Sequence, residues 1–92
     1  MKIEYSLDAV SDLQRLREFI MQSNPAAAAR VGAELLSRIE SLAFMPLMGY
    51  PVQTAPDPET IRDMIFGNYI VRYAVTPKRI LILRLWHHYE NR

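Results

Sequence analysis

Hydrophobic and polar positions change period along this chain, and the changes divide it into elements. Ile3 and Tyr5 alternate with Lys2 and Glu4, the period of two that predicts a short first strand. Ala9, Leu13, Leu16 and Ile20 then form one apolar stripe at helical spacing, with Asp12, Arg15 and Glu18 off it, and Ser6 or Asp8 can cap a helix beginning near Ala9. Asn24-Pro25 opens a second helix, because Asn accepts from early amides and Pro at the first helical position loses an N–H that has no partner there. Its expected buried face is Ala28, Val31, Leu35, Ile39 and Leu42, with Gly32 among them to let the first helix approach closely. Joined across Gln22-Ser23-Asn24, the two helices form a hairpin.

Residues 44–59 carry Pro46, Gly49, Pro51, Pro56 and Pro58, a density that predicts an irregular connection. Residues 62–66 read as a strand, Gly67-Asn68 as a tight turn, and residues 69–76 as the next strand, with Tyr69, Val71, Tyr73 and Val75 on one face. Pro77-Lys78 makes another turn. Ile80-Leu81-Ile82-Leu83 is apolar on both faces, the mark of a central strand, before Arg84-Leu85-Trp86-His87 restores alternation. The order is β-α-α-β-β-β, an α+β fold with the helical hairpin packed on an antiparallel sheet in two layers.

Composition narrows the function classes. Residues 1–92 form one domain, since a chain of this length builds a single core, and half the residues are hydrophobic. No cysteine is present, so disulfides, thiolate metal ligands and a cysteine nucleophile are excluded. The amino end lacks a signal-peptide apolar run and nothing is long enough for a membrane span, so a cytoplasmic protein with no membrane partner is expected. Net charge is only +1, which removes the simplest argument for nucleic-acid binding. Its distribution is uneven: Arg62, Arg72, Lys78, Arg79, Arg84 and Arg92 face only Asp63 and Glu90 in the last third. That basic third is either a contact surface or a sheet edge kept soluble by arginine.

The candidate chemistry lies at the end of the last strand. His87-His88-Tyr89 with Arg84 and Arg92 nearby combines imidazole, phenol and guanidinium, the groups that general acid–base cleavage of RNA needs. Adjacent strand residues point to opposite faces, however, so His87 and His88 serve one site only if the strand ends between them. The alternative is a polar strand end with one histidine packed under the helices. Tyr69 and Tyr73 beside Arg72 either stack on bases or belong to the core. Metal ligands do not converge, so no metal and no cofactor are expected. Phosphate loops, nucleophile elbows and paired carboxylates are missing too, so a small-molecule substrate is not expected, and a protein that docks on something larger is.

Five segments, in order, resemble the RelE/ParE family of type II toxin–antitoxin toxins: Tyr5-Ser6-Leu7-Asp8-Ala9; Asn24-Pro25-Ala26-Ala27; Leu42 with Pro46-Leu47-Met48-Gly49; Gly67-Asn68-Tyr69-Ile70-Val71-Arg72-Tyr73; and Ile82-Leu83-Arg84-Leu85-Trp86-His87. The resemblance spans nearly the whole chain and implies the β-α-α-β-β-β order. It also implies a cognate antitoxin and one of two targets: RelE-like and YoeB-like members cut mRNA on the ribosome, whereas ParE-like members poison DNA gyrase without being nucleases. His88-Tyr89, spaced from Tyr73-Ala74-Val75-Thr76, is similar to the cleaving His-Tyr pair of YoeB. Where the nuclease branch has a catalytic Arg, this chain has Ile70, and Arg72 lies two residues on, on the same strand face. The long hairpin, the Pro-x-x-Gly connection and His87 look more like the ParE branch.

The expectation is therefore a ParE-like toxin with Arg62, Arg84, His87 and Arg92 as target contacts and no catalytic residues. The alternative is a ribosome-dependent mRNA interferase using His88, Tyr89 and Arg72. A second alternative, motivated by Ile70, is a non-toxic homologue acting as a binding or repressor-complex component. Met45, Met48 and Met64 are adaptable candidates for the antitoxin contact.

Overall fold

The computed structural model describes residues 1–90, and in it two helices cover one face of a five-stranded sheet. The elements are β1 (Lys2–Tyr5), α1 (Leu7–Ser23), α2 (Pro25–Ser41), β2 (Tyr50–Pro51), β3 (Ile61–Phe66), β4 (Tyr69–Val75) and β5 (Arg79–His87). Strand order across the sheet is β1-β5-β4-β3-β2. The α+β class, the helical hairpin and the central place of β5 are as the sequence predicts. The sheet is mixed rather than antiparallel, because β1 runs parallel to β5 with Ile3 opposite Ile80 and Tyr5 opposite Ile82. Connection length explains this: the whole hairpin of helices and the rest of the sheet intervene between the two strands, so no tight turn fixes their direction.

Caps set the helix starts. Ser6 Oγ accepts from the Ala9 amide at 3.0 Å, so α1 begins at Leu7 and Ser6, not Asp8, is its cap. Asn24 closes α1 with its N–H on the Ile20 carbonyl and opens α2 by accepting from Ala27. Leu16, Ile20, Leu35, Ile39 and Leu42 then meet Met64, Val71, Tyr73, Ile80, Ile82 and Leu85 in one core.

Three details depart from the expected pattern. On α2, Leu35, Ile39 and Leu42 are buried, but Ala27 replaces Ala28 on the buried face and Val31 is only half-buried, because the amino end of α2 stands away from the sheet. Gly32 does not bring the helices together: a Cβ there meets nothing within 4 Å, and an open apolar groove lined by Leu13, Ile20, Ala28 and Leu36 runs beside it. Finally, Arg72 pairs with Arg84 but Tyr73 pairs with Ile82. Leu83 is thus an extra residue on β5, a bulge that shifts the core face from Ile80 and Ile82 to Leu85 and His87.

The connection between α2 and β3 is ordered by three buried polar partners. Tyr73 Oη accepts from the Gly49 amide at 2.9 Å and donates to the Pro46 carbonyl at 2.8 Å, while Arg62 Nη1 donates to the Gly49 carbonyl at 2.8 Å. A Cβ on Gly49 would lie 2.8 Å from both the Asp63 carbonyl oxygen and the Tyr73 hydroxyl, so only glycine lets the chain pass this close. There the chain pairs briefly with β3 as β2, a strand within a segment expected to be irregular. Gly67, at φ +59°, turns β3 into β4, and Asn68 needs no positive φ.

Candidate functional site

The seam between α1 and β5 brings together most of the charged groups in the chemistry-bearing region. β1 covers β5 only from Arg79 to Ile82, which leaves the backbone edge beyond Ile82 without a strand partner. Side chains take the missing strand's place. Ser6 Oγ donates to the Leu83 carbonyl, Asp12 Oδ2 accepts from the Leu85 amide at 2.9 Å, Arg15 Nη2 donates to the Leu85 carbonyl at 2.9 Å, and Glu90 Oε1 accepts from the His87 amide.

Asp12 is the hub of this seam. Although the sequence reading assigned it to the polar side of α1, it is 2 % exposed. The signal for it was present, since Asp12 follows Ala9 by three residues and precedes Leu16 by four, on the buried face. Its carboxylate accepts from Arg84 Nε at 2.8 Å and also pairs with Arg15. Burial pushes its pKa up, but hydrogen bonds from Arg84, the Leu85 amide and Arg15 outweigh this and hold it down at about 2. Arg15 also grips both oxygens of Glu90, so α1, β5 and the turn after β5 share one ion network.

The predicted residues divide accordingly. His87, on the helix side of β5, packs between Phe19 and Tyr69 with ring centroids 5.0 and 4.9 Å away. It is half-buried, because strand alternation past the bulge turns it toward the helices. His88 and Tyr89 are exposed, Tyr89 at 74 %, with their rings 5.0 Å apart. The strand ends between the two histidines, so alternation does not govern His88; the Tyr89 ring lies 5.8 Å from His87 and 5.0 Å from His88 and links the three side chains. Arg72 is committed elsewhere: it makes paired bonds to Asp63 at 2.9 and 3.0 Å and lies over the Trp86 ring.

Arg62 is not a surface contact either. It is 8 % exposed, and its guanidinium donates to Leu47, Gly49 and Glu59. Arg84, half-exposed, stays within reach of solvent beside Asp12. Arg92 lies outside the described residues. Met45 and Met48 are exposed at 57 % and 37 %, next to Phe44 and Leu47, whereas Met64 is 4 % exposed and belongs to the core because the inner face of β3 points it there. Asp12, Arg15 and Glu90, together with the Tyr73 hydroxyl, are the polar groups that the sequence left unassigned.

The uncovered face of the sheet carries Lys2 and Glu4 of β1, Ile65 and Asp63 of β3, Ile70, Arg72 and Ala74 of β4, and Arg79, Leu81, Arg84 and Trp86 of β5, by the alternation that sends their neighbours into the core. It is mixed in character, and its arginines are each paired with a carboxylate: Arg72 with Asp63, Arg79 with Glu4, and Arg84 with Asp12. Among the described residues no three His, Asp or Glu side chains converge as metal ligands, and no helix is long and apolar enough to cross a membrane.

Comparison with known proteins agrees with this geometry. The chain is similar to Toxin RelE1 of Caulobacter vibrioides, at 33 % identity over 89 residues that cover 95 % of this chain and 92 % of the relative. Its fold matches the chromosomal ParDE toxin–antitoxin system of P. aeruginosa with a TM-score of 0.79 at 18 % identity, covering 95 % of each chain. It also matches the RelBE2 toxin–antitoxin complex of Mycobacterium tuberculosis with a TM-score of 0.70 at 21 % identity, covering 94 % and 95 % of the two chains. The family described as the ParE toxin of the type II toxin–antitoxin system, parDE, matches residues 3–92, and this chain belongs to that family.

Proposed function

We propose that this chain is the toxin of a type II toxin–antitoxin module, that it arrests growth in the ParE manner by docking on DNA gyrase, and that a cognate antitoxin neutralises it. The observation that carries the choice of target is the uncovered sheet face. Stabilising a cleaving phosphate requires cations aimed at one spot, preferably in a site shielded from water. On that face Ile70 stands at the position of the nuclease arginine, Arg72 is already bonded to Asp63, and Arg84 is bonded to Asp12. Membership of the ParE family supports the same reading.

Inducing the chain alone should cause filamentation and a DNA-damage response while bulk translation continues. Early loss of translation with intact DNA would sink the gyrase reading. The antitoxin contact is assigned to Met45 and Met48, whose exposed, adaptable side chains form one apolar patch with Phe44 and Leu47. Met45→Asp with Met48→Asp should abolish neutralisation by the antitoxin while leaving growth arrest intact.

The second reading, a ribosome-dependent mRNA interferase, is favoured by one specific observation: His88 and Tyr89 are exposed side by side at the strand end. The name of the Caulobacter relative points the same way. It predicts cuts in translated messages at a fixed codon phase. Toxicity undiminished in His88→Ala with Tyr89→Phe would end it.

A further inference from the structure

We infer that Glu90, gripped by Arg15, is a positioning residue that holds the His88-Tyr89 turn in one presented conformation, and that this turn is what meets the target. The inference rests on the toxin reading but not on the choice between gyrase and ribosome.

The argument starts from hydrogen-bond bookkeeping at a place where chains ordinarily fray. The last strand ends at His87, and the few residues after a final element are poorly ordered unless something ties them down. Here every backbone amide from His87 to Glu90 is committed. The His87 amide donates to Glu90 Oε1 at 3.2 Å, the His88 amide to the Asn68 carbonyl at 2.6 Å, the Tyr89 amide to His87 Nδ1 at 3.1 Å, and the Glu90 amide to the His87 carbonyl at 2.9 Å. Two of these four bonds involve the His87–Glu90 pair alone. The Glu90 carboxylate is itself fixed from α1, where Arg15 donates to both of its oxygens, and its side chain is only 6 % exposed.

Removing a carboxylate from water is costly, and it is offset here by paired charge-assisted bonds. The fold gains little from ordering residues beyond β5, because the core residues of that strand are Ile80, Ile82 and Leu85. The output of the arrangement is instead the orientation of two exposed side chains: Tyr89, 74 % exposed, which leans on the His87 ring at 5.8 Å, and His88, set edge to face with Tyr89 at 5.0 Å. An imidazole and a phenol fixed in this way bind a polar partner without first losing conformational freedom, which raises affinity through preorganisation.

The test is a mutant cycle on the full chain, read as surviving colonies after induction: wild type, Glu90→Ala, His88→Ala with Tyr89→Ala, and the three substitutions combined. The first variant and the double variant should each raise survival at least about tenfold, the loss of preorganised binding appearing as lost toxicity. The triple variant should raise it no further than the double. A purely structural role for Glu90 would lower toxicity by the same factor whether or not His88 and Tyr89 are present, and that additivity overturns the proposal. So does a double variant as toxic as wild type. If Glu90→Ala loses its cooperative thermal melt, Glu90→Gln takes its place in the cycle, since it keeps an acceptor for the His87 amide. A wild-type chain that leaves colony counts unchanged refutes the toxin reading itself, a result distinct from either failure of the cycle.

Discussion

Along the α1–β5 seam, arginines answer carboxylates: Arg15 and Arg84 converge on buried Asp12, and Arg15 also holds Glu90. In the connection between α2 and β3, a single buried arginine answers carbonyls, and a core tyrosine supplies the rest, while Glu59, the carboxylate that pairs with the arginine, is exposed. Both arrangements hold backbone that no regular element could hold. The seam does so with a buried carboxylate shared between arginines, the connection with a guanidinium and a phenol bonded to backbone. The comparison teaches that one small domain uses two electrostatic devices for one architectural problem, and that the first rests on a carboxylate whose pKa folding depresses.

The largest effect that would break this contrast is expected at its hub. Asp12→Ala leaves the Arg84 guanidinium and the Leu85 amide without their acceptor, removes one of Arg15's, and should lower unfolding free energy by about 3 kcal/mol, read from urea denaturation. A loss under about 1 kcal/mol would show that the seam behaves as an ordinary exposed ion pair. Gly49→Ala probes the other device by steric means: its new Cβ meets the Asp63 backbone, and about 2 to 3 kcal/mol should be lost by overpacking.

Acid sharpens the difference. The pKa of Asp12 is depressed in the folded state, from 3.8 to about 2, so its contribution is complete above pH 4 and is lost as pH falls through 2. The sum is roughly 2 kcal/mol, and Asp12→Asn should flatten that part of a stability–pH curve. Tyr73→Phe removes both hydroxyl bonds and strands the buried Gly49 amide, for about 1.5 kcal/mol. That loss should be the same at pH 7 and pH 3; a loss that shrinks in acid would erase the distinction between the two regions. Gly32→Ala lies in neither region and should act in the opposite direction, raising stability by about 0.5 to 1 kcal/mol because a methyl there meets open space beside the groove and replaces glycine within a helix.

How much of this was readable from the residues follows from the range of the forces involved. Caps, turn residues and apolar periods act within a few positions, so Asn24-Pro25, Gly67-Asn68 and the stripes of Leu16 and Ile39 declare their elements locally. The direction of β1, the bulge at Leu83 and the course of residues 42–60 depend on partners tens of positions away, and no local pattern encodes them. The candidate site was legible in part. Strand alternation bears on His87 and His88 only within a strand, and β5 ends between them, a boundary that no local pattern marks. Arg62 and Asp12 misled, for a shared reason: a charged side chain reads as solvent-facing unless its buried partners are known, and those partners are a carbonyl at Gly49 and an amide at Leu85.

The parallel pairing of β1 with β5 has a consequence for how the sheet assembles. Residues 2–5 find their neighbours at 79–82, with Lys2 opposite Arg79, and β5 also separates β1 from β4 in the sheet. Until β5 is in place, β1 has no strand of this sheet to join, and Asp12 and Arg15 of α1 have no seam to close. Contacts of such long sequence separation are intrinsically slow to form. The joining of β1 to β5 and the closing of the seam are therefore expected late in folding and together, so that a chain whose fifth strand has not docked is an open sheet with an unsatisfied carboxylate beside it.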